Sequence, residues 1–78
     1  MTQTKRHEYT ITATVGKWVV CISPTTNYGY TEHGDSGEGG GLWFDDDKTL
    51  TDYDGVAELA PRVITAIESM GYDAEYAK

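Results

Sequence analysis

The sequence predicts an α+β domain: an antiparallel meander of three to four strands, with one C-terminal helix packed on one face. Three observations carry this expectation. Residues 7–15 alternate, with Tyr9, Ile11, Ala13 and Val15 on one side and Glu8, Thr10, Thr12 and Thr14 on the other, the period-two signature of a half-buried strand. Trp18 to Ile22 is a short apolar run set off by Gly16-Lys17 before it and Pro24 after it. Val56, Leu59, Val63, Ile67 and Met70 recur every three or four residues, which makes one apolar helical stripe.

The elements follow in order. His7 to Val15 is the first strand, Gly16-Lys17 a tight hairpin turn, and Trp18 to Ser23 the second strand, with Trp18, Val20 and Ile22 facing inward. Val19 and Cys21 on its other side predict a central strand covered on both faces. Pro24 ends it, having no N–H to give a ladder. After a turn at Thr25 to Asn27, Tyr28 to His33 is a third strand with Tyr28 and Tyr30 on one side. Glycine-dominated residues 34–40 read as a flexible connection. Gly41 to Asp45 is a fourth strand, with Leu42 and Phe44 facing one way and Trp43 the other. Proline costs little only at a helix's first position, so a short turn at Gly55 to Leu59 should precede a helix from about Pro61 to Met70. Gly71 is placed to cap it. Tyr72 to Tyr76 is open between a short edge strand and irregular chain. Neither sheet nor helix can bury its apolar side alone, so the stripe should pack on the sheet.

Length and composition narrow the function. Seventy-eight residues make a single domain, 1–78, with residues 1–6 and 77–78 expected to be loose. A chain of this size buries only ~60% of its unfolded surface. Cys21 is the single cysteine, so no internal disulfide can form. That suits a reducing compartment, and the polar start and short apolar runs give no reading as a leader or membrane span. The expectation is a soluble cytoplasmic protein. Thirteen Asp and Glu face six Lys and Arg, for a net charge of −7. Duplex binding needs a cationic track, so direct nucleic-acid binding is not expected. Anionic membranes would also be repelled, whereas a basic protein surface would be attracted.

Sequence motifs for chemistry fail one by one. Asp52-Tyr53-Asp54-Gly55 looks like the middle of an EF-hand loop, but Leu50 and Pro61 then occupy the positions that need carboxylates. Asp45, Asp46 and Asp47 with Asp52 or Asp54 could hold a divalent ion only weakly. Read structurally, the acids near the helix start would cap its unsatisfied N–H groups. His7, His33 and Cys21 are too few and scattered for a transition metal. The glycines at 37 and 39–41 do not complete a dinucleotide fingerprint, because Leu42 stands where its third glycine belongs, and no Gly-Lys-Ser/Thr follows for a P-loop. Cys21 and Ser36 lack an oriented base. No catalytic residue, metal site or cofactor is assigned, and the expected class is not an enzyme.

Residues 28–58 carry the distinctive pattern: nine carboxylates against a single cation, Lys48, interleaved with Tyr28, Tyr30, Trp43 and Tyr53. Trp18, Phe44 and Tyr53 are read as core. Trp43 is open between an interface role and the second face of the sheet; Tyr and Trp favour interfaces because they bring large area at low entropy cost.

Tyr28-Gly29-Tyr30-Thr31-Glu32-His33, Gly39-Gly40-Gly41-Leu42-Trp43-Phe44 and Asp52-Tyr53-Asp54-Gly55-Val56 followed by Leu59 resemble a set of short acidic proteins encoded by phages and prophages, over roughly residues 17 to 72. The set has no agreed active residues. The resemblance implies an anti-CRISPR-like or anti-restriction inhibitor of host defence, acting in the cytoplasm of an infected or lysogenic bacterium. The leading expectation is therefore a non-enzymatic inhibitor that binds a basic, nucleic-acid-handling host protein or ribonucleoprotein complex. Glu32, Asp35, Glu38, Asp45, Asp46, Asp47, Asp52 and Asp54 would stand in for DNA phosphates, with Tyr30 and Trp43 as apolar anchors. Two alternatives stand beside it: a general protein-interaction module using an aromatic sheet face, and a weak metal-binding small protein.

Overall fold

In a computed structural model, which describes residues 10–77, five strands form one antiparallel sheet in sequence order: β1 (Ile11–Val15), β2 (Trp18–Ser23), β3 (Tyr28–His33), β4 (Gly39–Phe44) and β5 (Leu50–Tyr53). A single helix, α1 (Pro61–Ser69), follows, and a 3-10 turn at Glu75–Ala77 ends the described chain. The α+β meander with one C-terminal helix is as the sequence predicts, with one strand more. The expected strand start at residues 7–9 and the expectation of loose ends at residues 1–6 and 78 lie outside the described residues. Ala77, also expected to be loose, is half-buried in the 3-10 turn and packs against the core.

Alternation sorts the side chains cleanly. The inner face presents Ile11, Ala13 and Val15 of β1, Val20 and Ile22 of β2, and Leu42 and Phe44 of β4. Against them pack Leu59, Val63, Ala66 and Ile67, the predicted stripe with Ala66 added; Val56 and Met70 flank it, half-buried. Val20, Ile22, Leu42, Val63 and Ile67 are fully buried, each worth about 1.5–3 kcal/mol of removed apolar surface. Phe44 is buried edge-to-face with Tyr72 at 4.9 Å. Trp18 and Tyr53, expected in the core, are half-buried at its margin. Trp18 meets the edge of His33 at 5.0 Å.

Several expectations are corrected. β2 lies between two strands but is not covered on both faces: Val19 and Cys21 are half-buried on a face over which no described element lies. The connection at residues 34–38 is a hydrogen-bonded turn, not an unconstrained tip. His33 N–H donates to the Glu38 carbonyl (2.8 Å) and Gly37 N–H to the His33 carbonyl (2.9 Å). The N–H groups of Asp35 and Ser36 donate to His33 Nδ1 at 3.2 and 3.1 Å. β4 starts two residues early, at Gly39, and β5 was not foreseen. No acid caps the helix: Ala60 holds the N-cap position without a side-chain hydrogen bond, Pro61 begins the helix, and its first turn contains no acidic residue.

The C-terminal end follows the predicted Gly71 cap. Gly71 has φ 87°. Its N–H donates to the Glu68 carbonyl (3.1 Å) and the Tyr72 N–H to that of Ile67 (3.3 Å), the paired bonds of a Schellman motif. The chain then turns back beside β5. Leu50 N–H donates to the Asp73 carbonyl and Asp73 N–H to that of Lys48, so the tail contributes one parallel bridge, Thr49 to Asp73. No helix among the described residues is long and apolar enough to cross a membrane.

Candidate interaction face

With α1 on the inner face, the opposite face of the sheet has no second layer. Its composition follows from register. Ser23, Tyr28, Trp43 and Asp52 form one cross-strand row, and Thr12, Cys21, Tyr30 and Gly41 a second. Thr14, Val19, Glu32 and Gly39 form a third. Of the four large exposed apolar residues in the described chain, three stand here: Tyr28 at 42%, Tyr30 at 48% and Trp43 at 36% relative exposure.

Gly41 explains how the aromatics pack. A side chain there would meet Trp43 Cη2 at 2.9 Å and the Tyr28 hydroxyl at 2.9 Å, so both rings lean into the space that glycine leaves empty. Tyr28 and Trp43 touch edge-to-face at 5.2 Å, a favoured aromatic geometry. Beneath them Asp54 grips Gly41 twice: its Oδ1 accepts the Gly41 N–H at 2.7 Å and its own N–H donates to the Gly41 carbonyl at 3.1 Å. Beside them, Cys21 accepts a hydrogen bond from the Thr12 hydroxyl at 3.5 Å. Hydrogen bonding and charge interaction with Cys21, then partial desolvation and the Glu32 carboxylate, push the Tyr30 phenol above its ordinary value of 10.0.

The predicted acids are not gathered into one ridge. Asp35 and Glu38 sit in the β3–β4 turn, whereas Asp45, Asp46 and Asp47 sit in the β4–β5 turn at the other end of β4. Six residues of strand separate the two groups, about 17–20 Å at the usual rise. Glu32 and Asp52 lie on the outer face itself, with Asp54 just beyond β5. Predicted anchors Tyr30 and Trp43 lie between the acidic ends. Many of these carboxylates also have local work. Asp45 Oδ1 accepts the N–H groups of Asp47 (2.9 Å) and Thr49 (3.0 Å), and Asp46 accepts from the Asn27 side chain at 3.0 Å. Asp35 is ion-paired with Lys17 at 3.3 Å across two exposed side chains; such a pair is worth little in stability. Ser36 Oγ donates to Glu38 at 3.4 Å.

Sequence reasoning placed Tyr28 beside Tyr30 but did not choose it for the site, and it missed Gly41. The first signal was present as spacing by two; the second depends on which rings lean where. Among the described residues no three His, Cys, Asp or Glu side chains come together as metal ligands. The described cations all sit off the strands of this face: Lys17 in the β1–β2 turn, Lys48 5.6 Å above the Tyr72 ring, and Arg62 on α1 against Gly16. Compared with known proteins, the chain matches no family model, no curated protein and no solved structure.

Proposed function

We propose that this chain is a non-enzymatic binding protein whose open sheet face docks a basic, nucleic-acid-handling protein, and that it acts as a phage-type inhibitor in the bacterial cytoplasm. The observation that carries the reading is the uncovered face with Tyr28, Tyr30 and Trp43 exposed together. A contiguous aromatic patch on a small protein marks an interaction surface, and Tyr and Trp are the residue types on which binding energy concentrates. Acids at the rim and at both ends of the sheet favour a cationic partner and speed its approach, in keeping with the net charge of −7. The resemblance to small phage proteins supports a CRISPR or restriction complex as the partner class.

A second reading keeps the phosphate-imitating role for the acids at 32, 35, 38, 45–47, 52 and 54. What favours it is that Asp45 and Asp54 are held in fixed positions by backbone N–H groups, as a mimic of regularly spaced phosphates requires.

Capture from a bacterial lysate at graded ionic strength separates the two. A chain carrying Tyr28→Ala, Tyr30→Ala and Trp43→Ala should lose its partner, while Asp45→Asn, Asp46→Asn and Asp47→Asn together should weaken capture without abolishing it. Excess duplex DNA should release a partner held at its nucleic-acid surface. Capture that ignores the aromatic changes and vanishes with the three Asn changes would establish imitation and discard face docking.

A further inference from the structure

The outer face carries one group whose chemistry points to a specific kind of side chain. Trp43 and Asp52 are direct cross-strand partners on the same face, a placement that sets their Cβ atoms ~4.5–5.5 Å apart. Asp52 Oδ1 accepts the N–H of Tyr53 at 2.9 Å, which pins the carboxylate. Its other oxygen has no partner among the described residues. Tyr28 closes the opposite side of Trp43, 5.2 Å away, and Trp43 retains 36% of its surface open. Ring faces are electron-rich and attract a cation within ~6 Å of the centroid, and a carboxylate beside such a ring adds a charge-assisted hydrogen bond.

We infer that Trp43, Tyr28 and Asp52 form a seat for an arginine side chain of the partner, with the guanidinium over the indole and its N–H groups donating to Asp52. This inference rests on the docking reading above and names the contact at its centre. Arginine suits the seat better than lysine, because its planar fork stacks on an aromatic surface and donates in the same plane. A second copy of this chain is a poor occupant, since it would bring Glu32 and Asp52 against their own equivalents. Single-stranded nucleic acid stacks on exposed aromatics only where a cationic groove tracks its backbone. On this face the charged strand residues are Glu32 and Asp52.

The test uses blocked peptides of alternating glycine and arginine, with lysine and citrulline counterparts and an oligothymidylate of similar length. Each is titrated into the full chain and followed by amide and indole NMR, where the Trp18 indole serves as an internal reference. The arginine peptide should shift the Trp43 indole and the amides of Tyr28 and Asp52, and bind about fivefold tighter than the lysine peptide. The citrulline peptide should give no shift, nor should the oligothymidylate. Asp52→Asn, a change at an exposed position, should reduce arginine affinity by about fivefold or more while leaving the other amides in place. The inference is overturned if shifts centre on the turns at 35–38 or 45–47, if lysine binds equally well, if Asp52→Asn binds as tightly as the parent, or if the oligothymidylate moves Trp43. Any of those results combined with lysate capture that still requires the aromatics overturns the arginine seat alone. Capture indifferent to the aromatics overturns the docking reading, and the seat with it.

Discussion

Gly40 and Gly41 are neighbours on β4 that point to opposite faces, and alanine at each should have very different consequences. At Gly40 an added Cβ would overlap the Asp54 carbonyl oxygen and stand 2.6 Å from its carbon and 2.8 Å from Gly55 Cα. All three are backbone atoms, so β4 and the chain leaving β5 would have to separate by roughly 1–1.5 Å to approach ordinary contact distances near 3.5 Å. Overpacking a rigid site costs up to ~3 kcal/mol. A domain of this length has only ~4–12 kcal/mol in total. At Gly41 the Cβ would meet Trp43 Cη2, Trp43 Cζ3 and the Tyr28 hydroxyl at 2.9, 3.2 and 2.9 Å. Those are the far ends of side chains on an open face, and they can swing aside. The strain there should be offset by the ~0.5–1 kcal/mol that alanine gains over glycine inside an element. Urea unfolding followed by circular dichroism reads both. With a slope of ~1 kcal/mol per molar urea, Gly40→Ala should lower the midpoint by about 3 M or prevent folding. Gly41→Ala should stay within about 1 M of the parent, yet change Trp43 fluorescence. A Gly40→Ala midpoint within 0.5 M of the parent, or equal damage at both sites, would refute the reasoning from strand spacing (~0.5 kcal/mol being the resolution of the assay).

Other expectations concern the phenol, the core and the cap. The Tyr30 phenol is raised above 10.0 chiefly by Cys21; a folded value above the unfolded one means its contribution to stability is complete below pH 10 and is lost as pH rises through the folded value. Absorbance titration, parent minus Tyr30→Phe, should show this tyrosine ionising above pH 10, and Cys21→Ala should bring it down. Ile67→Ala removes a fully buried side chain between α1 and the sheet and should cost about 2–5 kcal/mol by chemical denaturation. Gly71→Ala places a Cβ at φ 87° and should cost about 1–2 kcal/mol, although nothing lies within 4 Å to obstruct it.

Four of the five strands and the helix were legible because their patterns are local. Alternation in residues 11–15, the Gly16-Lys17 turn and the 59-63-67 stripe each point to one structure, and the structure uses all three. β5 was hidden by its brevity and by Asp52, a residue type depleted in strands. A register irregularity between Trp43 and Phe44 further blurs its alternation against β4. Sequence proximity assigns the acids near the helix start to its cap, and Asp45 to Asp47 to a solvated loop or a weak ion site; the cap is Ala60. A whole strand separates Asp45 from that cap, and Asp45 instead organises the β4–β5 turn. For the site, spacing by two placed Tyr28 with Tyr30, but exposure depended on a tertiary fact. One helix covers one face, and nothing described covers the other. Convergence of the acids could not be read from sequence proximity at all, because Glu38 and Asp45 flank a strand that carries them to opposite ends of the sheet.

The central claim is that the uncovered sheet face meets the partner. Hydrogen–deuterium exchange on the chain alone and in its captured complex reads this directly. The account predicts new protection over residues 28–32 and 39–43, with the helix at 61–69 unchanged. Protection confined to the turns at 35–38 and 45–47, or to the helix, would contradict it.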